Sequence, residues 1–120
     1  MKQLIWMGSS RSDLREFPED IQDEMGHGLY LAQKNYRHKH AKTLGGLGSA
    51  KVIELRETER SGTYRVVYTV EMEEYVFVLH AFQKKSKKGI ETPKSEIDLV
   101  KRRQKEAESL YKQLKEGKRS

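Results

Sequence analysis

Apolar residues at Leu14, Phe17, Ile21, Met25, Leu29 and Ala32 recur in steps of three and four, the spacing of one helix face. Pro18 interrupts the series. Inside a helix it would remove a backbone hydrogen bond, whereas it fits the first turn of a new one. The pattern predicts a short helical turn, a kink at Phe17 and Pro18, and a helix to about Gln33. Ser12 is the expected N-cap, with Asp13 complementing the helix dipole. Gly26 and Gly28 weaken the middle of this helix and point to close packing on a sheet. Residues 2–7 are short and apolar and read as an edge strand.

Residues 35–49 read as a loop. It carries Arg37, Lys39 and Lys42, two histidines, and the run Gly45-Gly46-Leu47-Gly48. Beyond it the pattern turns strand-like, over residues 51–57, 63–70 and 75–82, with polar turns between. The second is rich in β-branched and aromatic residues. The third (YVFVLHAF) is almost continuously apolar, so it is expected to be the central strand, covered on both faces. Short connections make the three an antiparallel meander. Alternation places His80 with Val78 and Phe82, opposite Leu79 and Ala81.

Residues 83–91 form a basic loop, and Thr92-Pro93 suits a helix start. In that helix Ile97, Val100, Gln104, Ala107, Tyr111 and Leu114 follow a 3-4-3-4-3 spacing. The seam can cover the chain's own sheet, the favoured reading, or another chain. Residues 117–120 are expected to fray. Helices and strands kept apart in this way predict an α+β domain spanning residues 1–120.

Composition sharpens this picture. Hydrophobic residues make up 35% of the 120 positions and charged residues another 35%, a thin core under a charged surface. The net charge of +6 favours a polyanion partner: nucleic acid, an anionic membrane or an acidic protein. The absence of cysteine excludes disulfides, thiolate metal sites and a cysteine nucleophile. The opening apolar stretch is too short for a signal peptide, and no run approaches the roughly 18 apolar residues of a membrane span. The expectation is a soluble cytoplasmic protein.

Candidate chemistry gathers near the last strand. Lys84, Lys85, Lys87 and Lys88 stand within five residues without an acid among them. Such charges repel one another and need water or an anion; a phosphate backbone is the natural partner, and a solvated loop is the plain alternative. Arg65 lies inside an apolar strand, where it needs either a functional anion or an ion pair with a glutamate such as Glu54 or Glu57. Arg56 poses the same question nearer a strand end. His80 suits proton transfer near neutral pH, although a histidine in an apolar strand is more often packed and satisfied. His27, His38 and His40 lack a metal-ligand pattern, and no metal or cofactor is expected. The glycine run lacks the Lys-Ser/Thr ending of a phosphate-binding loop, and no nucleophile motif surrounds any serine.

Several segments together resemble a known family. They are Glu54-Leu55-Arg56, Tyr64-Arg65-Val66-Val67-Tyr68, Val78-Leu79-His80-Ala81-Phe82-Gln83-Lys84-Lys85, and Thr92-Pro93 followed by Glu96-Ile97 and a helix through Lys101-Arg102-Arg103. Asp13-Leu14, Phe17-Pro18 and the glycine run extend the likeness. The series resembles the phage-derived, HigB-like branch of the RelE/ParE toxins over about residues 13–103. The resemblance implies a small RelE-like domain, with N-terminal helices and a C-terminal helix on a twisted antiparallel sheet of 3–4 strands. It implies the toxin of a type II toxin–antitoxin pair, a metal-independent and ribosome-dependent mRNA endoribonuclease. Its partners would be an antitoxin of helix-turn-helix type, the ribosome and mRNA.

By the same resemblance, Arg65 binds the scissile phosphate, and Lys84 and Lys85 hold the phosphate or protonate the leaving oxygen. His80 is a weaker acid or base candidate, and Arg56, Lys42, Lys87 and Lys88 grip RNA. Many such toxins end in a tyrosine-bearing segment; here Tyr111 lies in an apolar seam and reads as packing. The alternatives are a non-enzymatic toxin that binds a protein such as gyrase, and an inactive phage-derived nucleic-acid-binding remnant.

Overall fold

The computed structural model describes residues 1–84 and 92–119. Its elements run β1 (Gln3–Trp6), α1 (Ser10–Arg15), α2 (Glu19–Gln33), β2 (Ala41–Thr43), β3 (Val52–Glu59), β4 (Gly62–Thr69), β5 (Tyr75–Lys84) and α3 (Lys94–Arg119). The strands form one five-stranded sheet in the order β1-β5-β4-β3-β2. The fold is α+β, as expected, with two differences in the sheet.

The first difference is the number and direction of strands. The expected sheet was antiparallel with three or four strands. Instead β1 pairs parallel to β5, with Gln3 opposite Tyr75 and Trp6 opposite Val78. The helices carry the chain from β1 across one face to the far edge, and the antiparallel strands then bring β5 back beside β1. β2 is the other addition, three residues paired with β3 inside the expected loop. The central strand is β4, not β5. β5 is nonetheless internal and covered on both faces, as its apolar sequence implied.

The second difference is a bulge. His80 lies opposite Val67 and Val78 opposite Tyr68, so Leu79 has no partner in the ladder. An unpaired residue in one strand turns the side chains beyond it to the other face. Val76 and Val78 pack toward α2, while Phe77 and Leu79 pack toward α3. Beyond the bulge His80 and Phe82 also face α3. The expected grouping of His80 with Val78, opposite Leu79, is therefore corrected.

One apolar layer joins Met25 and Leu29 of α2 to Ile53, Leu55, Val66 and Tyr68 of the sheet. Burying each such side chain stabilises the fold by about 1.5–3 kcal/mol. The other layer joins Val100 and Ala107 of α3 to Val52, Val67, Phe77 and Leu79. The seam expected along α3 thus covers the chain's own sheet, and the helix continues through Gly117 to Arg119.

The chain breaks between α1 and α2 at Phe17 and Pro18, as the proline required. The first helix starts earlier than expected. Gly8 turns the chain with φ +53, Ser9 is the N-cap, and its hydroxyl donates to Asp13 at 2.7 Å. Ser12 lies inside the helix and donates to the Ser9 carbonyl. Gly28 explains the close approach of α2: a Cβ there would lie 2.2 Å from Leu55 Cδ2. Gly26 has nothing within 4 Å, so packing does not account for it.

Candidate functional site

The α3 face of the sheet is apolar at one end and polar at the other. Cross-strand pairing aligns Arg56 with Arg65 and Arg65 with Phe82. Two residues along each strand stand Glu54 and His80. One surface therefore collects a carboxylate, two guanidinium groups, an imidazole and an aromatic ring.

Arg65 lies deepest, 1% exposed. Its Nη1 donates to Thr92 Oγ1 at 2.8 Å and approaches Glu54 Oε1 at 3.5 Å. Thr92 in turn donates to Glu54 Oε2 at 2.6 Å, and Arg56 Nη2 donates to Glu54 Oε1 at 2.7 Å. Glu54, 4% exposed, is the hub of this network. Burial lowers the Arg65 pKa from its ordinary value, and the neighbouring Glu54 carboxylate opposes that shift. The partner anticipated for a buried Arg65 is thus Glu54, while Glu57 pairs with His40.

His80 lies beside this network, 6% exposed and stacked on Phe82 at 4.8 Å between centroids. Its Nε2 meets the Glu96 carboxylate on the first turn of α3. On its other side Arg103 Nη1 lies 3.4 Å from Nδ1 and donates to the Leu79 carbonyl at 3.0 Å. Arg103 also donates to Ser9 Oγ at 3.2 Å. It packs over Gly8, where a Cβ would lie 2.7 Å from the guanidinium. The positive φ favours glycine there, and a side chain would push the Arg103 guanidinium aside.

A cleft of about 740 Å³ opens beside this network, lined by Lys42, Glu54, Arg56, Thr92, Lys94 and Lys101, among others. A second of about 520 Å³ adjoins it, sharing Lys42, Glu54 and Arg56 and adding Lys39 and His40. Arg56 and Lys42 are exposed enough to meet a ligand here. Lys84, half-buried at the end of β5, lies opposite Thr63. Lys85, Lys87 and Lys88 lie outside the described residues. Tyr111 donates to Glu74 at 2.8 Å and packs on Tyr75, a packing position as expected.

Sequence reasoning missed Glu96, Arg103, Lys94 and Lys101 as members of this surface, and it read Thr92 only as a helix start. It set His38 and His40 aside and missed their carboxylate partners. His38 Nε2 contacts Glu24 at 2.6 Å, and His40 Nδ1 contacts Glu57 at 2.6 Å. The hydrogen bond to His38 holds the Glu24 carboxyl below its usual pKa.

Residues 12–105 match the family described as phage-derived protein Gp49-like (DUF891). The chain belongs to this Gp49-like family. No curated protein matches its sequence. Among solved structures, the Gp49-like chain resembles the isolated E. coli RelE toxin, with TM-score 0.51 and 21% identity over 85% of this chain and 98% of that one. It resembles a chain of the E. coli RelBE toxin–antitoxin complex equally, with TM-score 0.51 and 20% identity over 72% of this chain and 100% of that one. The RelE-like architecture implied by the sequence is thereby shown. No described helix of this Gp49-like chain is long and apolar enough to cross a membrane.

Proposed function

We propose that this chain is the toxin of a toxin–antitoxin pair and that it cuts mRNA on the ribosome. The observation that carries the reading is the basic cleft over the Glu54–Arg65–Thr92 network, set in a RelE-like fold. Arg56 and Lys42 present cations where an RNA phosphate can reach them. Glu54 and Thr92 hold the deeper Arg65 in position beneath.

In the proposed reaction a ribose 2′-oxygen attacks the adjacent phosphorus. The 2′-hydroxyl gives its proton to a base, the new O–P bond closes a 2′,3′-cyclic phosphate, the P–O5′ bond breaks, and the 5′-oxygen leaves with a proton from an acid. Arg56 and Lys84 stabilise the charge growing on the phosphate, and the buried Arg65 adds its charge from beneath the network. Lys85 joins Lys84 in holding the phosphate, and Lys87 and Lys88 grip flanking RNA. His80, oriented by Glu96 and Arg103, is the acid or base candidate. The antitoxin is a protein partner that silences this surface.

The burial of Arg65 favours one other reading, a toxin that binds a protein target and needs no phosphate site. Inducible expression in bacteria, with mapping of mRNA 5′ ends during growth arrest, separates the two. We expect new ends on translated messages, lost when Arg56→Ala is combined with Lys84→Ala. Arrest with intact messages would move the assignment to a protein-binding toxin.

A further inference from the structure

We infer that His38, His40 and Glu57 form a binding site for a divalent transition metal of the zinc or cobalt class. One imidazole nitrogen from each histidine and a Glu57 carboxylate oxygen lie within 4.8 Å of one another. Borderline cations favour this donor set of two imidazoles and a carboxylate. The spacing of His38 and His40 looked uninformative in the sequence. Pairing of β2 with β3 changes its meaning, because it brings the segment before β2 against Glu57.

The protonation pattern supports the assignment. His38 is 4% exposed, and its Nδ1 accepts the His40 backbone N–H at 3.0 Å. An accepting Nδ1 leaves the proton on Nε2, where it is donated to Glu24 at 2.6 Å. That is the arrangement in which an outer carboxylate orients a ligating histidine and raises its basicity. The nitrogen that faces His40 is Nδ1, where a bound metal would take the place of the His40 backbone N–H. The carboxylates of Glu24 and Glu57 match the double charge of the cation. The His27 ring stands 5.8 Å from that of His38 and closes one side of the cluster.

Access is also present. The His40 side chain is 49% exposed, and its Nδ1 already meets Glu57 Oε1 at the rim of a cleft. A bound ion would tie residues 38–40 to β3 and leave further positions for water. Its ligands His40 and Glu57 line a cleft shared with Lys42 and Arg56, but the proposal does not rest on the phosphate chemistry above.

Cobalt(II) titration of the tag-free full chain, freed of metal by chelator, tests the site through visible absorption. We expect one equivalent to bind with the intense bands of a low-coordinate nitrogen–oxygen site, and zinc to displace it. His40→Ala and Glu57→Gln should each weaken binding at least tenfold while circular dichroism stays unchanged. A His27→Ala variant should bind within about threefold of the parent. Absent binding, or binding that survives both ligand substitutions, would overturn the inference.

Discussion

The two faces of the sheet bury their side chains by different means. Under α2 the layer is apolar almost throughout, with Met25, Leu29, Leu55, Val66 and Val78 all at most 1% exposed. Under α3 the apolar layer ends at Val67 and Leu79, and beyond them the same face holds Arg65, Glu54 and His80. The first face depends on shape and area. The second depends on every buried charge having a partner. The phosphate chemistry is proposed on the second because there Glu54, Arg56 and Thr92 line a cleft through which a ligand can enter.

Breaking the second face should cost most. Arg65→Ala leaves Glu54 buried with fewer partners, and removing one member of a buried pair destabilises by about 3–5 kcal/mol. Urea unfolding measures it. Arg65→Met combined with Glu54→Met should recover most of the loss, which separates an uncompensated charge from lost packing.

The α2 face should respond to pH through Tyr68. Burial pushes its phenol up from 10.0 to about 12, so the fold favours the neutral ring. The stabilisation is fully present below pH 10 and is lost as pH rises toward 12. It amounts to about 2–3 kcal/mol. The stability difference between the parent and Tyr68→Phe should stay level to about pH 9 and shift against the parent above pH 10. A flat difference across that range would show that the α2 layer admits water at Tyr68.

The smallest effect on the fold belongs to the rim. Arg56 has a side chain 36% exposed, and Arg56→Ala should cost less than Arg65→Ala, since Glu54 keeps Arg65 and Thr92. Its mark should appear in RNA binding. Affinity should fall, and the dependence of log affinity on log salt should flatten by about one phosphate contact.

Most of this comparison was legible in the sequence. The steps of three and four along Leu14 to Ala32, and again along Ile97 to Leu114, gave both covering helices. Strand composition gave β3, β4 and β5. Arg65 in an apolar strand marked the polar network, and Glu54 was a foreseeable partner. Three things were hidden for physical reasons. β2 is three residues, too short for a period to register. The direction of β1 depends on pairing across about seventy residues. The bulge at Leu79 is a register shift that leaves no residue signature, and it alone turns His80 toward Glu96. Arg103 and Glu96 were missed because their partners lie far away in the chain.

The most direct test is cleavage of a defined message on purified, programmed ribosomes, with the intact chain and with the Arg56→Ala, Lys84→Ala double variant. The account predicts a cut ending in a 2′,3′-cyclic phosphate with the intact chain, and at least a hundredfold slower cutting with the variant. An uncut message with folded, ribosome-exposed protein would contradict it.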